Sequence, residues 1–146
     1  MEWIPVVAVV VVGLMVGVEL AVAAVLNPIL DRLPTDAGIA GRSHGARVLG
    51  RVMPVWYVGS TLLVGATALT LPAAAAQAWT AVGLLLASVV LSLVLLVPIN
   101  NRSATWTPDD VPADWREQRG RWDRLHVVRL GLIVVAFVLA AVASGT

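Results

Sequence analysis

Three side chains capable of proton or anion chemistry stand inside otherwise oily stretches: Glu19, His126 and Arg129. A carboxylate or an imidazole can take and return a proton, and a guanidinium can hold an oxyanion. An ionised carboxylate on a central turn of a membrane helix costs at least ~2.5–3.5 kcal/mol, so Glu19 must be protonated, paired or facing water. His126 and Arg129 belong to the stretch "DWREQRGRWDRLHVVR", residues 114–129. Asp114 and Glu117 read there as a capping box that opens a helix. Beyond the cap only Gly120 breaks the pattern, which predicts one continuous helix from Trp115 onward. On it Trp115, Arg119, Trp122, His126 and Arg129 recur at spacings of 4, 3, 4 and 3 and form a single stripe.

Counting residues places these groups at similar depth. Glu19 precedes Asn27 by eight residues, about 12 Å of helical rise. Arg129 lies seven residues beyond Trp122 on an antiparallel segment, which puts it roughly 8–11 Å deep, with His126 one turn shallower. The three can therefore meet. One reading is a structural Glu19–Arg129 pair joining the first and last helices. The other makes Glu19 and His126 a proton-transferring or ligand-binding couple whose ionisation Arg129 helps to set.

Further polar and aromatic residues gather at the same end. Asn27 and Pro28 are expected to close the first span. "VPINNR", residues 97–102, is expected to close the third with Asn100 and Asn101, whose amides can donate to an oxyanion. Each pair also reads simply as a helix end. Trp122 and Trp115 offer flat surfaces for an aromatic ligand. Trp56 and Tyr57 are placed either to wall an aromatic pocket or to pack in the core. Glu19, His126 and His44 are the side chains that copper or iron would use. No His-x-x-x-His or Glu-x-x-His pair is present, and His44, in a Gly-rich stretch, reads more readily as a solvated loop residue.

The elements that must position these residues follow from composition. The chain has 146 residues, 59% of them hydrophobic, and a mean hydropathy of +0.88, the profile of an integral membrane protein. A net charge of +1 argues against nucleic acid as a partner. The absence of cysteine removes disulfides, thiol nucleophiles and thiolate metal sites. The apolar N-terminal run has no basic region before it and is too long for a signal-peptide core, so it is expected to stay as a span. Four stretches are long enough to cross a bilayer, about 3–26, 52–71, 79–97 and 125–144. The expectation is an all-α, single-domain bundle of four transmembrane helices over 1–146. All ten basic residues are Arg, and they crowd the first and third connections. The positive-inside rule then puts both long loops in the cytoplasm and both termini outside the cell membrane. Gly13, Gly17 and Ala21 make a small-residue stripe, a face on which a second copy could pack as a homodimer.

Glu19 followed by "NP", the "VPINNR" segment, and the pattern "DW…R..WDRLH..R" (residues 114–129) that leads into the last span together resemble the anthrone-oxygenase-like family of small membrane proteins. The resemblance covers essentially the whole chain. It implies oxidation of an aromatic, anthrone-like or polyketide-like small molecule by molecular oxygen, without flavin or haem. It also implies matching positions at Glu19, Asn27, Asn100, Asn101, Trp115, Trp122, His126 and Arg129. Under it His126, or Glu19, would be the base, and Arg129 with the Asn100 and Asn101 amides would hold the oxyanion. Two other classes fit parts of the sequence. A small proton-coupled exporter would use Glu19 for both proton and drug, and a non-catalytic scaffold would need the seam only for packing.

Overall fold

The computed structural model describes residues 3–145. Helix α1 (Trp3–Ala21) passes through one wide turn, Val22–Leu26, into α2 (Asn27–Arg32). Leu33 and Pro34 reverse the chain into α3 (Thr35–Thr70). A tight turn, Pro72–Ala74, starts α4 (Ala75–Leu91), which passes through a second wide turn, Ser92–Leu96, into α5 (Val97–Ser103). A loop leads to α6 (Trp115–Ser144). The result is four helical rods, Trp3–Arg32, Thr35–Thr70, Pro72–Ser103 and Trp115–Ser144, each long and apolar enough to cross a membrane.

The rods form an up-and-down bundle. α1 packs on α3 and α6, α4 packs on the same two, and the α3–α6 diagonal makes only minor contact. The core is built from recurrences of three and four residues: Ala8, Val12 and Met15 on α1 face Ile133, Ala136 and Ala140 on α6. The three alanines among them let the rods approach closely, which is how helices associate where lipid removes the ordinary hydrophobic driving force. Gly13 serves the same purpose. A Cβ there would stand 2.9 Å from the Phe137 ring, so this part of the Gly13–Gly17–Ala21 stripe is taken up inside the chain rather than left for a second copy. Gly17 and Ala21 remain exposed. Outward-facing Val6, Val10, Leu14, Val55, Leu62, Leu69, Val90 and Val94 clothe the outside in aliphatic surface, as lipid contact requires.

Several expected boundaries move. The stretch 35–51 is not a loop but the first half of α3. It carries little hydropathy because it extends past the apolar part of the bundle. Residues 72–78, between the second and third expected spans, are also helical, leaving Leu71 as the joint. Pro28 and Pro98 do not stop their helices. Proline lacks an N–H and its ring collides with the carbonyl four residues back. Here the turn before each proline widens: the Asn27 N–H reaches the Val22 carbonyl and the Val97 N–H reaches the Ser92 carbonyl, both five residues back. That widening relieves the collision and keeps backbone groups paired where no water can reach them. The capping box at Asp114 is not formed either. Asp114 makes no side-chain cap bond, and its Oδ1 instead accepts from Gln118 Nε2 at 2.9 Å.

Candidate functional site

The sequence count brings Glu19, His126 and Arg129 together, and the structure does so at bonding distance. Glu19 lies one turn before the wide turn of the first rod and is 3% exposed. Arg129 Nη2 donates to Glu19 Oε1 at 2.8 Å and to Oε2 at 2.7 Å. Arg129 Nη1 donates at 3.1 Å to the hydroxyl of Ser92, the first residue of the second wide turn. The Tyr57 hydroxyl donates to Glu19 Oε1 at 3.0 Å, and the Arg129 guanidinium stands 5.4 Å from the centre of the Tyr57 ring. All four rods thus contribute to one buried cluster, in which the opposite charges of Glu19 and Arg129 compensate each other.

His126 sits behind this cluster. Its Nε2 lies 3.0 Å from the Glu19 backbone carbonyl, which can only accept, so Nε2 carries a hydrogen. Nδ1 then faces both Arg129 Nη2 at 3.1 Å and Glu19 Oε2 at 3.2 Å. Trp122, one turn away, stacks on the imidazole with ring centres 4.7 Å apart and planes 10° from parallel.

Glu19, Tyr57, Ser92 and Arg129 form the polar floor of a cavity of about 340 Å³. This is within the ~300–1,000 Å³ range of small-molecule sites. Its walls are aliphatic, with Leu26, Leu49, Met53, Leu93 and Leu96 prominent, and Trp106 and Trp122 lie toward the far end. There an ionic clasp ties α2, α3 and α6. Arg42 reaches Asp31 at 2.8 Å and Asp123 at 3.3 Å, Arg119 reaches Asp31 at 3.1 Å, and Asn27 Nδ2 donates to Asp123 Oδ1 at 3.1 Å. One donor of the cluster is left over: Arg129 Nε is buried with no partner.

The expected site residues divide. Glu19, Asn27, Asn100, Asn101, Trp122 and Arg129 line the cavity, with Asn100 Nδ2 held by the Ala46 carbonyl at 3.0 Å. His126 does not reach the cavity wall. It is 1% exposed and shielded by Trp122 and by the residues it bonds, whereas Glu19 lines the cavity. Trp56 is also displaced: its Nε1 donates to the Val11 carbonyl at 3.0 Å, away from the cavity, and its neighbour Tyr57 takes the place in the floor. Trp115 stands outside the wall, edge-on to Trp106 at 6.4 Å and beneath the Arg116 guanidinium at 4.5 Å. His44 lies on α3 rather than in a loop and is exposed, apart from Glu19 and His126, so the three candidate metal ligands do not converge. Among the described residues no group of three His, Cys, Asp or Glu is placed to hold a metal ion. Ser92 and Trp106 also line the cavity and are not among the expected site residues. Ser92 carried a signal in lying six residues before Pro98, at the head of the wide turn.

Fold and site define a four-helix protein of membrane-spanning build whose buried acid–guanidinium pair opens on an apolar cavity. Residues 46–139 match the family model described as anthrone oxygenase, and the chain belongs to that family. The matched stretch contains Tyr57, Ser92 and Arg129, whereas Glu19 precedes it. No curated protein and no solved structure matches the chain.

Proposed function

We propose that the protein is a membrane oxygenase that converts a flat phenolic, anthrone-like methylene compound to its quinone with molecular oxygen. The observation that carries this reading is the polar floor itself: a carboxylate, a guanidinium and a phenol facing an apolar cavity sized for a small molecule. The aliphatic walls bind the ring system, and Trp122 and Trp106 supply aromatic surface at the far end.

An anthrone methylene is acidic because the electron pair left by its proton spreads through the rings onto the carbonyl oxygen opposite. Glu19 takes that proton. His126 Nδ1, 3.2 Å behind Oε2, is the next station for it. The oxyanion is held by the Arg129 guanidinium, which lines the cavity, and by the Tyr57 hydroxyl once protonated Glu19 releases it. The carbanion transfers an electron to oxygen and recombines with it, forming a carbon–oxygen bond and a hydroperoxide once the proton is returned. Removal of the second methylene hydrogen then breaks the oxygen–oxygen bond. The carbon becomes a carbonyl and the outer oxygen leaves as water. One O2 is reduced, the methylene is oxidised, and no further reductant enters.

The arginine side chains gathered at the cavity end support a cytoplasmic position for that end by the positive-inside rule. The test uses purified protein in detergent, supplied with an anthrone-type phenol. Oxygen uptake matched one-to-one by quinone, and lost in Glu19→Gln with quinone binding retained, supports the oxygenase. Proton-coupled efflux of the phenol from vesicles without quinone overturns it in favour of a transporter.

A further inference from the structure

We propose that an apolar crevice between the first rod and α3 is a lateral passage through which an uncharged lipophilic aromatic moves between bilayer hydrocarbon and the Glu19 cavity. The identity of the traveller rests on the oxygenase reading; the passage rests on geometry. The crevice holds about 510 Å³ and is lined on its outer side by Ala21, Val25, Ile29 and Val48, with His44 its single polar side chain. Val25, Ile29 and Val48 are each about half exposed on the surface of the bundle, at 54%, 52% and 46%.

Five residues line both the crevice and the cavity: Val18, Val22, Leu26, Gly45 and Leu49. A single layer of side chains therefore separates the bundle exterior from the polar floor. Two of the five, Val22 and Leu26, bound the wide turn of the first rod. Gly45 stands opposite on α3, and a Cβ added there would meet nothing within 4 Å. The partition is thus aliphatic on one side and, at Gly45, open space on the other.

The alternative way in, past the far end of the cavity, crosses the Arg42–Asp31–Arg119 and Arg42–Asp123 ion pairs. Parting those pairs in order to admit an oily polycycle exposes charges to an apolar guest, which is unfavourable. Moving Leu26 and Leu49 between rotamers is not. A substrate that partitions into lipid is also already concentrated at the outer side of the crevice.

The experiment reconstitutes the full chain in lipid vesicles and follows quenching of tryptophan emission as an anthraquinone dissolved in the bilayer binds. Ala21→Leu narrows the outer side of the crevice without touching the cavity, since Ala21 lines only the crevice. Ala24→Leu, three residues further along the same rod, exposed and lining neither space, controls for the exchange itself. Ala21→Leu is expected to slow both association and dissociation about tenfold while leaving the equilibrium Kd within about threefold, because a passage sets rates and not affinity. Ala21→Val should fall between, which keeps the result readable if the leucine variant assembles poorly. Association in Ala21→Leu no slower than in Ala24→Leu would overturn the passage. So would a Kd weakened by the same factor as the rate, since that would make Ala21 only a contact. Binding kinetics are measured apart from turnover, so an unaltered chain that binds quinone through an Ala21-dependent route yet consumes no oxygen would sink the oxygenase reading alone.

Discussion

Replacing Arg129 by methionine should destabilise the bundle by about 3–5 kcal/mol. The magnitude follows from the geometry of the pair. Glu19 is 3% exposed, and both of its oxygens take hydrogens from Arg129 Nη2, at 2.8 and 2.7 Å. Methionine keeps most of the aliphatic stem, so little packing is lost and the effect comes from charge. What remains is a buried carboxylate with the Tyr57 hydroxyl as its one neutral side-chain donor. Glu19→Gln leaves the converse problem, a buried guanidinium without an anion, and should cost a similar amount. The double variant removes both charges. Its cost should fall below the sum of the single costs by about 2–3 kcal/mol, the coupling of groups in direct contact. Reversible unfolding in mixed micelles, driven by increasing dodecyl sulfate and followed by tryptophan fluorescence and circular dichroism, yields all four corners of the cycle. A coupling below about 0.5 kcal/mol would refute the reasoning, because the two groups would then be stabilised independently.

Other consequences can be checked in the same preparations. Tyr57→Phe removes one hydrogen bond and should cost only about 0.5–1.5 kcal/mol of stability. It should nevertheless slow initial oxygen uptake by about tenfold or more if the hydroxyl steadies the oxyanion, and an unchanged rate would remove Tyr57 from the mechanism. Gly13→Leu forces a side chain against Phe137 and should destabilise the monomer by about 1–3 kcal/mol. Unchanged stability with a halved particle mass by light scattering would instead place Gly13 between two copies. Pro98→Ala restores a backbone donor and should let the second wide turn close, turning Ser92 by up to about 100° away from Arg129. Oxygen uptake should fall while stability holds or rises, since proline is a poor helix interior residue; an undiminished rate would show that the wide turn is not needed.

The four rods and the meeting of Glu19 with Arg129 were legible in the sequence for simple reasons. Long apolar runs have one stable form in lipid, and a helix advances a fixed distance per residue, so depth can be counted from the ends. Direction around the helix was harder to read. Trp56 and Tyr57 differ by about 100° around α3, and the larger indole drew attention that the phenol merited. A buried tyrosine needs a partner for its hydroxyl, and the carboxylate at matching depth was the available clue. The prolines misled because their usual effect in water is to end a helix. Widening one turn costs less than exposing backbone groups to hydrocarbon, and the proline six residues on is its single mark in the sequence. His126 was at the expected depth, but whether a side chain faces a cavity or lies behind another depends on packing. The stretch 35–51 hid its helix because a rod that leaves the apolar zone loses its hydrophobic signature.

The two proline-associated wide turns divide the molecule along its length. On one side Ala8, Val12, Ile133, Ala136 and Ala140 interlock as a close-packed stem. On the other, α2, α5 and the first half of α3 form a collar around the cavity, with α2 and α5 offset in rotation from α1 and α4 by the extra residue in each wide turn. The uninterrupted rods α3 and α6 carry both halves, so they hold the collar in line with the stem. The cavity is therefore shaped by the two bent rods against two fixed ones, with Glu19 and Ser92 standing where the bends begin.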